Sequence, residues 1–477
     1  MNYLERVIGE VMSENKGQWG SSFGFLMAAV GSAVGLGNLW GFPYKMGKSG
    51  GFAFLLMYLI LAVLIGFVIM VGELTIGRKT GKGVVGAYAA LSSKFRPLGW
   101  MGFIAPMLIL SFYSMLGGYC LKYAVGNIGD IFNASWGINN ADPGAYFSAF
   151  TSDPVASSIY TIIFMVLTIG IVMGGISGGI EKFSKIAMPA LFIMLLVVIA
   201  RSVTLPGASE GLAFMFKPNW EVFQGNGWMS ILAIAGGQMF FSLSLGMGVM
   251  ITFGSYLPKS ENIEQKSVLI PIADTLVAIM AGLAVMPAVF AMGMEPAQGP
   301  GLLFITLQAV FSHMGTLGPI FGFLLYALVF IAAITSSISL LEVGVSVLID
   351  SREKKQQTIN RKGITMALGL VITVLAVFVS VDGLGAGPLP QPLGFCWLDF
   401  LDLLSEGIMM PLGALIMSLI IGWSLGDKWL EDELTLEGNK WRSKAFSMIC
   451  FKFIAPVGML LVLVGQIDNF FQLGIFS

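Results

Sequence analysis

The chain has 477 residues, 56% of them hydrophobic and 11% charged, with a formal net charge of -1 and a mean hydropathy of +0.84. Charged residues make up about a quarter of an ordinary soluble domain, so this composition excludes a soluble globular protein, and the balanced charge offers no footing for nucleic acid. Cys120, Cys396 and Cys450 have no paired spacing and His313 is the single histidine, which argues against a disulfide framework and against a transition-metal site.

Residues 1–20 carry Glu5, Glu10 and Glu14 and lack the apolar core and cleavage site of a secretory signal, so they read as a cytoplasmic N-terminal arm. Apolar runs long enough to cross a bilayer follow at 21–46, 51–76, 99–127, 156–175, 186–203, 229–256, 267–294, 316–349, 363–381, 399–425 and 446–467. The polar stretches 128–155 and 427–444 read as surface connections. Only Lys45, Lys48, Lys122, Arg201 and Lys217 fall on the outer segments, and Lys452 lies within the last span; every other basic residue falls on the inner segments. Basic residues near helix ends are retained on the cytoplasmic side. The expected topology is therefore a multi-pass protein of the cell (inner) membrane, with its N-terminus cytoplasmic and its C-terminus outside.

Two of the runs are broken. The first contains Gly31-Ser32-Ala33-Val34-Gly35-Leu36-Gly37-Asn38 and the sixth Phe241-Ser242-Leu243-Ser244-Leu245-Gly246-Met247-Gly248. Such glycines also suit close helix packing, and a dinucleotide-type phosphate loop is excluded because no strand precedes them. Irregular backbone at membrane depth is tolerated only where protein covers it or it lines a cavity. Paired breaks in two halves mark the midplane binding site of a transporter. Asn38, Ser242 and Ser244 add amide and hydroxyl oxygens, the donors that suit a hard monovalent cation.

The seventh run carries Asp274, and a carboxylate within a span costs roughly 2.5–3.5 kcal/mol on insertion scales, which makes it a functional candidate. Pairing near a helix end is the structural alternative. Thr335-Ser336-Ser337 in the eighth run offers hydroxyls that either bond back to their own helix or join Asp274 in holding cations.

Gly35-Leu36-Gly37-Asn38-Leu39-Trp40 with Phe42-Pro43, Gly72-Glu73-Leu74 with Gly77-Arg78, Ser242 to Gly248, Pro287-Ala288-Val289-Phe290 with Gly299-Pro300-Gly301, and Thr335-Ser336-Ser337 resemble the neurotransmitter:sodium symporter family, in particular its bacterial eleven-span amino-acid transporters. The resemblance implies an all-α polytopic membrane protein of the LeuT-type fold, a 5+5 inverted repeat with broken helices 1 and 6 and one additional helix. On that basis residues 1–20 form the arm, 21–203 the first five-helix repeat, 204–425 the second, and 426–477 an inner loop with the eleventh helix.

It further implies two sodium ions and no organic cofactor. The first sodium would be held by the Ala33 carbonyl, Asn38, Ser242 and Asp274 with the substrate carboxylate. The second would be held by the carbonyls of Gly31, Val34 and Ala332 with the hydroxyls of Thr335 and Ser336. The substrate would meet the backbone of Leu36 and Gly37, the phenol of Tyr113, and carbonyls near Ala33, Phe241 and Ser242 with Ser244 nearby. Ser32, Ile109, Tyr113, Phe241, Met247, Ser336 and Leu340 would line the side-chain pocket. Lys16, Trp19, Ser255, Tyr256 and Asp350 match the inner gate, and Gly179 with Pro189 matches a pattern associated with unwinding at the start of the fifth span.

At the outer gate, with Tyr113 and Phe241, Gly41 stands where the family has an arginine and Ser405 where it has the acidic partner; Lys45 with Asp402 or Glu406 is the expected substitute. Ala278 replaces the serine of chloride-dependent members. The expected function is a sodium-coupled symporter of zwitterionic, hydrophobic or aromatic L-amino acids, chloride-independent, working by alternating access, with protons replacing cations on Asp274 during return. Its partners are an amino-acid-like solute, sodium and membrane lipid, and the protein is expected as a monomer or weak homo-oligomer. A carrier of an amine or another amino-acid-derived solute is the alternative reading, and an ion channel a further one, because broken helices also build selectivity filters. No nucleophile–base pair in the spans suggests an enzyme.

Overall fold

A computed structural model describes residues 17–139, 141–225, 227–294, 296 and 299–475, and among these there is no strand. Among the described residues nine helices are long and apolar enough to cross a membrane: Phe52–Thr80, Ser93–Ile131, Pro154–Met173, Ile176–Val203, Ile263–Ala291, Gly315–Lys354, Arg361–Gly385, Trp397–Leu434 and Lys444–Phe471. The bent pair Ser22–Ala33 and Gly37–Lys48, inclined by 46° across its break, makes the first span. Gly227–Ser242 and Val249–Gly254, separated by a non-helical segment, make the sixth. These spans follow the apolar runs of the sequence in order.

The backbone explains each break. Span one stops because Val34 turns extended (φ -77°, ψ 101°) while still donating to the Val30 carbonyl. Its second half restarts where the Asn38 side chain accepts a hydrogen bond from Gly35 N at 3.1 Å, satisfying one of the orphan donors of a helix start. In span six, Ser244, Gly246 and Gly248 all have positive φ (54°, 77° and 72°). Only glycine adopts that region without a steric cost. A β-carbon on Gly246 would also run into the Met410 carbonyl of span ten.

Spans one and six are buried around their breaks. Span three packs along span eight as the most extensive helix pair, and spans four and nine pack on both. Phe25, Phe42, Tyr58, Tyr119 and Phe253 fill the interior. Ile163, Val166, Val371 and Val374 lie exposed on spans four and nine, as a lipid-facing surface requires.

Three details depart from the sequence reading. Span five begins at Ile176, ahead of the expected 186, because Ile176–Glu181 winds as a π turn that runs straight into Lys182–Val203; Gly179 is therefore helical in this conformation. The connection 128–155 contains the helix Pro143–Thr151, capped by the Asp142 carboxylate, and the helices Ala208–Phe216 and Leu302–Ser312 occupy two further connections. Beyond a backbone break at Gly426 (φ 78°, ψ 179°) span ten is followed by the charged helix Gly426–Leu434, in the stretch read as a loop.

Candidate functional site

The two breaks face each other across Asp274. Its carboxylate, fully buried, receives the Asn38 amide at 2.7 Å, the Ser242 hydroxyl at 2.9 and 3.1 Å and the Tyr58 phenol at 2.9 Å. Asn38 Nδ2 also donates to the Asp274 backbone carbonyl at 3.2 Å. A buried charge needs such partners. Asn38, Ser242 and Asp274, expected together, are together. Tyr58 was not expected; its only trace in the sequence is a phenol within an apolar run, a group that seeks a partner when buried.

A second cluster lies where span eight crosses the end of the first half-helix. The Ser336 hydroxyl is 3.1 Å from the Ser32 carbonyl, 3.4 Å from that of Gly31 and 3.5 Å from that of Val34. Thr335 donates to the Ala332 carbonyl at 2.9 Å. One hydroxyl proton serves three converging carbonyl oxygens poorly, whereas a hard monovalent cation is suited by such an all-oxygen set. Among the described residues no group of three or more His, Cys, Asp or Glu could hold a metal ion.

Between the clusters is a small chamber lined by Ser32, Ala33, Gly35, Gly37, Ile109, Tyr113, Phe241, Ser244, Met247, Ser336 and Leu340. Ten of these were expected; Gly35 was not. Leu36 and Ser242 stand behind the wall. Leu36 N donates to the Tyr113 phenol at 2.9 Å, and Ser242 belongs to the Asp274 cluster. Phe241 leans over Tyr113 with ring centroids 6.5 Å apart. A β-carbon on Gly37 would lie 2.7 Å from the Phe241 ring, and one on Gly35 would overlap Tyr113 and Ser336, so both positions need glycine for close approach. Ser32 donates to Ser244 at 3.3 Å and Ser244 to the Ser32 carbonyl at 3.1 Å, joining the two broken spans directly.

Residues 16–138 and 152–476 match the sodium:neurotransmitter symporter family. The chain belongs to this family. The sodium-dependent transporter YhdH of Bacillus subtilis is 38% identical over 96% of this chain and 99% of its own length, and a sodium-dependent transporter of Haemophilus influenzae is 32% identical over 95% and 98%. The crystal structure of MhsT in complex with L-phenylalanine superposes with a TM-score of 0.84 at 38% identity, covering 94% of this chain and 99% of that one. The protein is thus a sodium-coupled membrane transporter of the LeuT-type fold, and its family is not an enzyme class.

In this symporter the residues expected at the two gates make specific contacts. At the end bearing Trp19, the indole donates to the Phe253 carbonyl at 3.1 Å and packs edge-on against Phe25, Phe253 and Tyr256. Ser255 bonds within its own turn, to the Thr252 carbonyl at 2.7 Å. Asp350 accepts from Gly83 N at 2.6 Å, and Lys16 lies outside the described residues. Sequence reasoning passed over the buried Glu342, which receives the Tyr256 phenol at 2.7 Å and pairs with Arg361 at 2.5 Å. Glu73, quoted in a family motif but given no role, accepts from Gly246 N at 2.7 Å within the break of span six. Both are carboxylates inside apolar runs, the signal already used for Asp274.

At the other end Gly41 and Ser405 do not meet. A β-carbon on Gly41 would sit 3.1 Å from Gln238 Oε1, and Ser405 bonds back to the Leu401 carbonyl at 2.7 Å. Lys45 instead forms an ion pair with Glu406. Gln238, also unexpected, donates to the Gly37 carbonyl at 2.7 Å and so ties the two broken helices together.

Proposed function

We propose that this symporter carries zwitterionic, hydrophobic or aromatic L-amino acids together with two sodium ions, by alternating access and without chloride. The observation that carries this reading is the make-up of the chamber. Ile109, Phe241, Met247 and Leu340 supply apolar wall on one side, and the Tyr113 phenol, whose oxygen accepts from Leu36 N and whose proton is free to donate, supplies a donor on the other. A carboxylate beside the N–H groups of a restarting half-helix is favoured by their partial positive charge. The apolar side chain would lie against Met247, whose flexible thioether adapts to different shapes. That MhsT was crystallised with L-phenylalanine supports an amino acid of this kind.

In this reading Asn38, Ser242 and Asp274 hold the first sodium with the Ala33 carbonyl and the substrate carboxylate; for this the Asn38 amide turns so that its oxygen faces the ion. Gly31, Val34, Ala332, Thr335 and Ser336 hold the second. The contacts of Trp19 and the Lys45–Glu406 pair are the inner and outer gates, with the N-terminus in the cytoplasm, as the distribution of lysine and arginine requires. When the sites empty, a proton takes the place of sodium on Asp274, so that protons move against the substrate. The deciding experiment is sodium-dependent binding of L-phenylalanine set against phenethylamine. The carboxylate-bearing ligand alone should bind; equal binding of the amine would favour an amine carrier.

A further inference from the structure

None of the residues lining the chamber comes from span eleven, yet that span carries a buried amide in an otherwise apolar stretch. Gln466 is buried, and its Nε2 donates to the Ala233 carbonyl of span six at 2.9 Å. Ala233 lies inside the helix Gly227–Ser242, where a carbonyl already accepts within its own helix, so this bond is an addition made by span eleven. Two glycines allow the approach: a β-carbon on Gly236 would overlap Val462, and one on Gly237 would overlap the Gln466 amide. The β-carbon on Gly237 would also lie 3.2 Å from Glu406 Oε1, so the amide and the carboxylate that pairs with Lys45 face the same small space. Asp402, one turn before Glu406, is hydrogen-bonded to it from its own helix. Val462, Gln466 and Phe470 recur every four residues and so share one face of span eleven. Phe470 ends this stripe, with its ring 3.6 Å from where a β-carbon on Gly407 would sit. One face of span eleven thus touches both the outer half of span six and the turn of span ten that carries Glu406.

We propose that Gln466 is a positioning residue through which span eleven seats the outer half of span six beside Glu406, and so sets how firmly the outer gate holds substrate. The inference rests on reading Lys45 and Glu406 as that gate. With Ala233 fastened to span eleven, Gly237 keeps its place against Glu406. Gln238, the next residue, keeps its hold on the Gly37 carbonyl at 2.7 Å and through it on the half of span one that carries Lys45. Phe241, one turn beyond Gly237, stays over Tyr113. Without the bond, the outer half of span six is free to tilt from span eleven, and Phe241 and Lys45 lose their register with the chamber and with Glu406. An amide suits this place because it is neutral: it fastens the helix without bringing a charge that would compete for Lys45 or Glu406. Among apolar side chains no water stands ready to replace the bond.

The dissociation rate of labelled L-phenylalanine from the intact transporter in saturating sodium tests this. Gln466→Met keeps the length and packing of the side chain and removes the donor, so release should be about three- to tenfold faster with the dependence on sodium unchanged. Gly237→Ala displaces the amide from the side of span six and should accelerate release likewise. Leu460→Ala, at an exposed position on span eleven, should have no effect. In a Glu406→Gln background Gln466→Met should add nothing further, because the amide acts through the placing of that carboxylate, whereas a general loosening of the bundle would multiply the two effects. The proposal is overturned if Gln466→Met or Gly237→Ala releases at the wild-type rate, if the effects of Gln466→Met and Glu406→Gln multiply, or if Leu460→Ala matches Gln466→Met. The gate reports separately. If Lys45→Met and Glu406→Gln leave the rate unchanged, the gate reading falls and the inference with it; if they accelerate release while Gln466→Met does not, only the role of span eleven falls.

Discussion

Asn38 and Asp274, 236 positions apart in the chain, share a 2.7 Å hydrogen bond at the point where the first span breaks. That bond sets the broken backbone of span one against the one carboxylate of span seven that lies within the site. Whatever cation enters there must exchange a neutral amide donor for its own charge. Binding of sodium and substrate should then be cooperative, since the substrate carboxylate completes the cation's shell and each ligand offsets the other's charge. Replacing sodium by potassium or choline should abolish amino-acid binding measured by calorimetry, and Asn38→Ala should weaken the dependence on sodium. Unaltered affinity in choline would refute the site.

Tyr113→Phe and Phe241→Ala should fail differently. The first removes the phenol that stands beside Leu36 N, a contact to a charged ligand worth roughly 1.5–3 kcal/mol, so amino-acid affinity should fall about ten- to a hundredfold. The second opens the lid over the chamber and should raise the dissociation rate more than it lowers the association rate. Stopped-flow binding with a fluorescent analogue separates the two; normal affinity in Tyr113→Phe would reverse the substrate orientation argued above.

How much of this was legible in the sequence depends on the kind of signal. Ser32, Ala33, Gly35 and Gly37, Phe241, Ser244 and Met247, and Ser336 lie in the quoted motifs, whereas Ile109, Tyr113 and Leu340 came only through the family resemblance; the spans follow apolar runs that the bilayer itself dictates. The start of span five was missed because Ile176-Ser177-Gly178-Gly179 has the composition of a loop, although it winds into the helix that follows. Asp142-Pro143, a cap followed by proline, is a helix start signal that lay within a stretch read as a surface connection. Glu342 and Glu73 carried the same mark as Asp274, yet their partners Arg361, Tyr256 and Gly246 N come together only in three dimensions. Gln238 and Tyr58 give no periodic or charge signal, since each is a polar tip on a side chain in an apolar run.

Transport should need no chloride. While sodium is bound Asp274 brings a negative charge of the protein's own to the first cation cluster, and Ala278, one helical turn further on and fully buried, offers no hydroxyl to hold an anion. In a low-dielectric site such charge compensation is strong. Exchange of chloride for gluconate should leave uptake into proteoliposomes unchanged, whereas Asp274→Asn with Ala278→Ser should make it depend on chloride. A chloride requirement in the wild type would end the charge-replacement argument.

The Lys45–Glu406 pair should act as the outer gate that Gly41 and Ser405 cannot form. Lys45 lies one turn beyond Gly41 on the same half-helix, and Glu406 follows Ser405 in a π turn spanning Leu403–Met409, so both charges have moved along their helices together. The side chains are 21% and 8% exposed, deep enough to be screened less than a surface pair yet not so deep that desolvation cancels the attraction. A double-mutant cycle with Lys45→Met and Glu406→Gln, read from the dissociation rate of bound amino acid, should give a coupling of roughly 1 kcal/mol. Each single variant should release substrate faster, and the double variant should be no worse than the worse single one. Additive effects, with coupling near zero, would mean that the outer vestibule closes through Phe241 and Tyr113 alone.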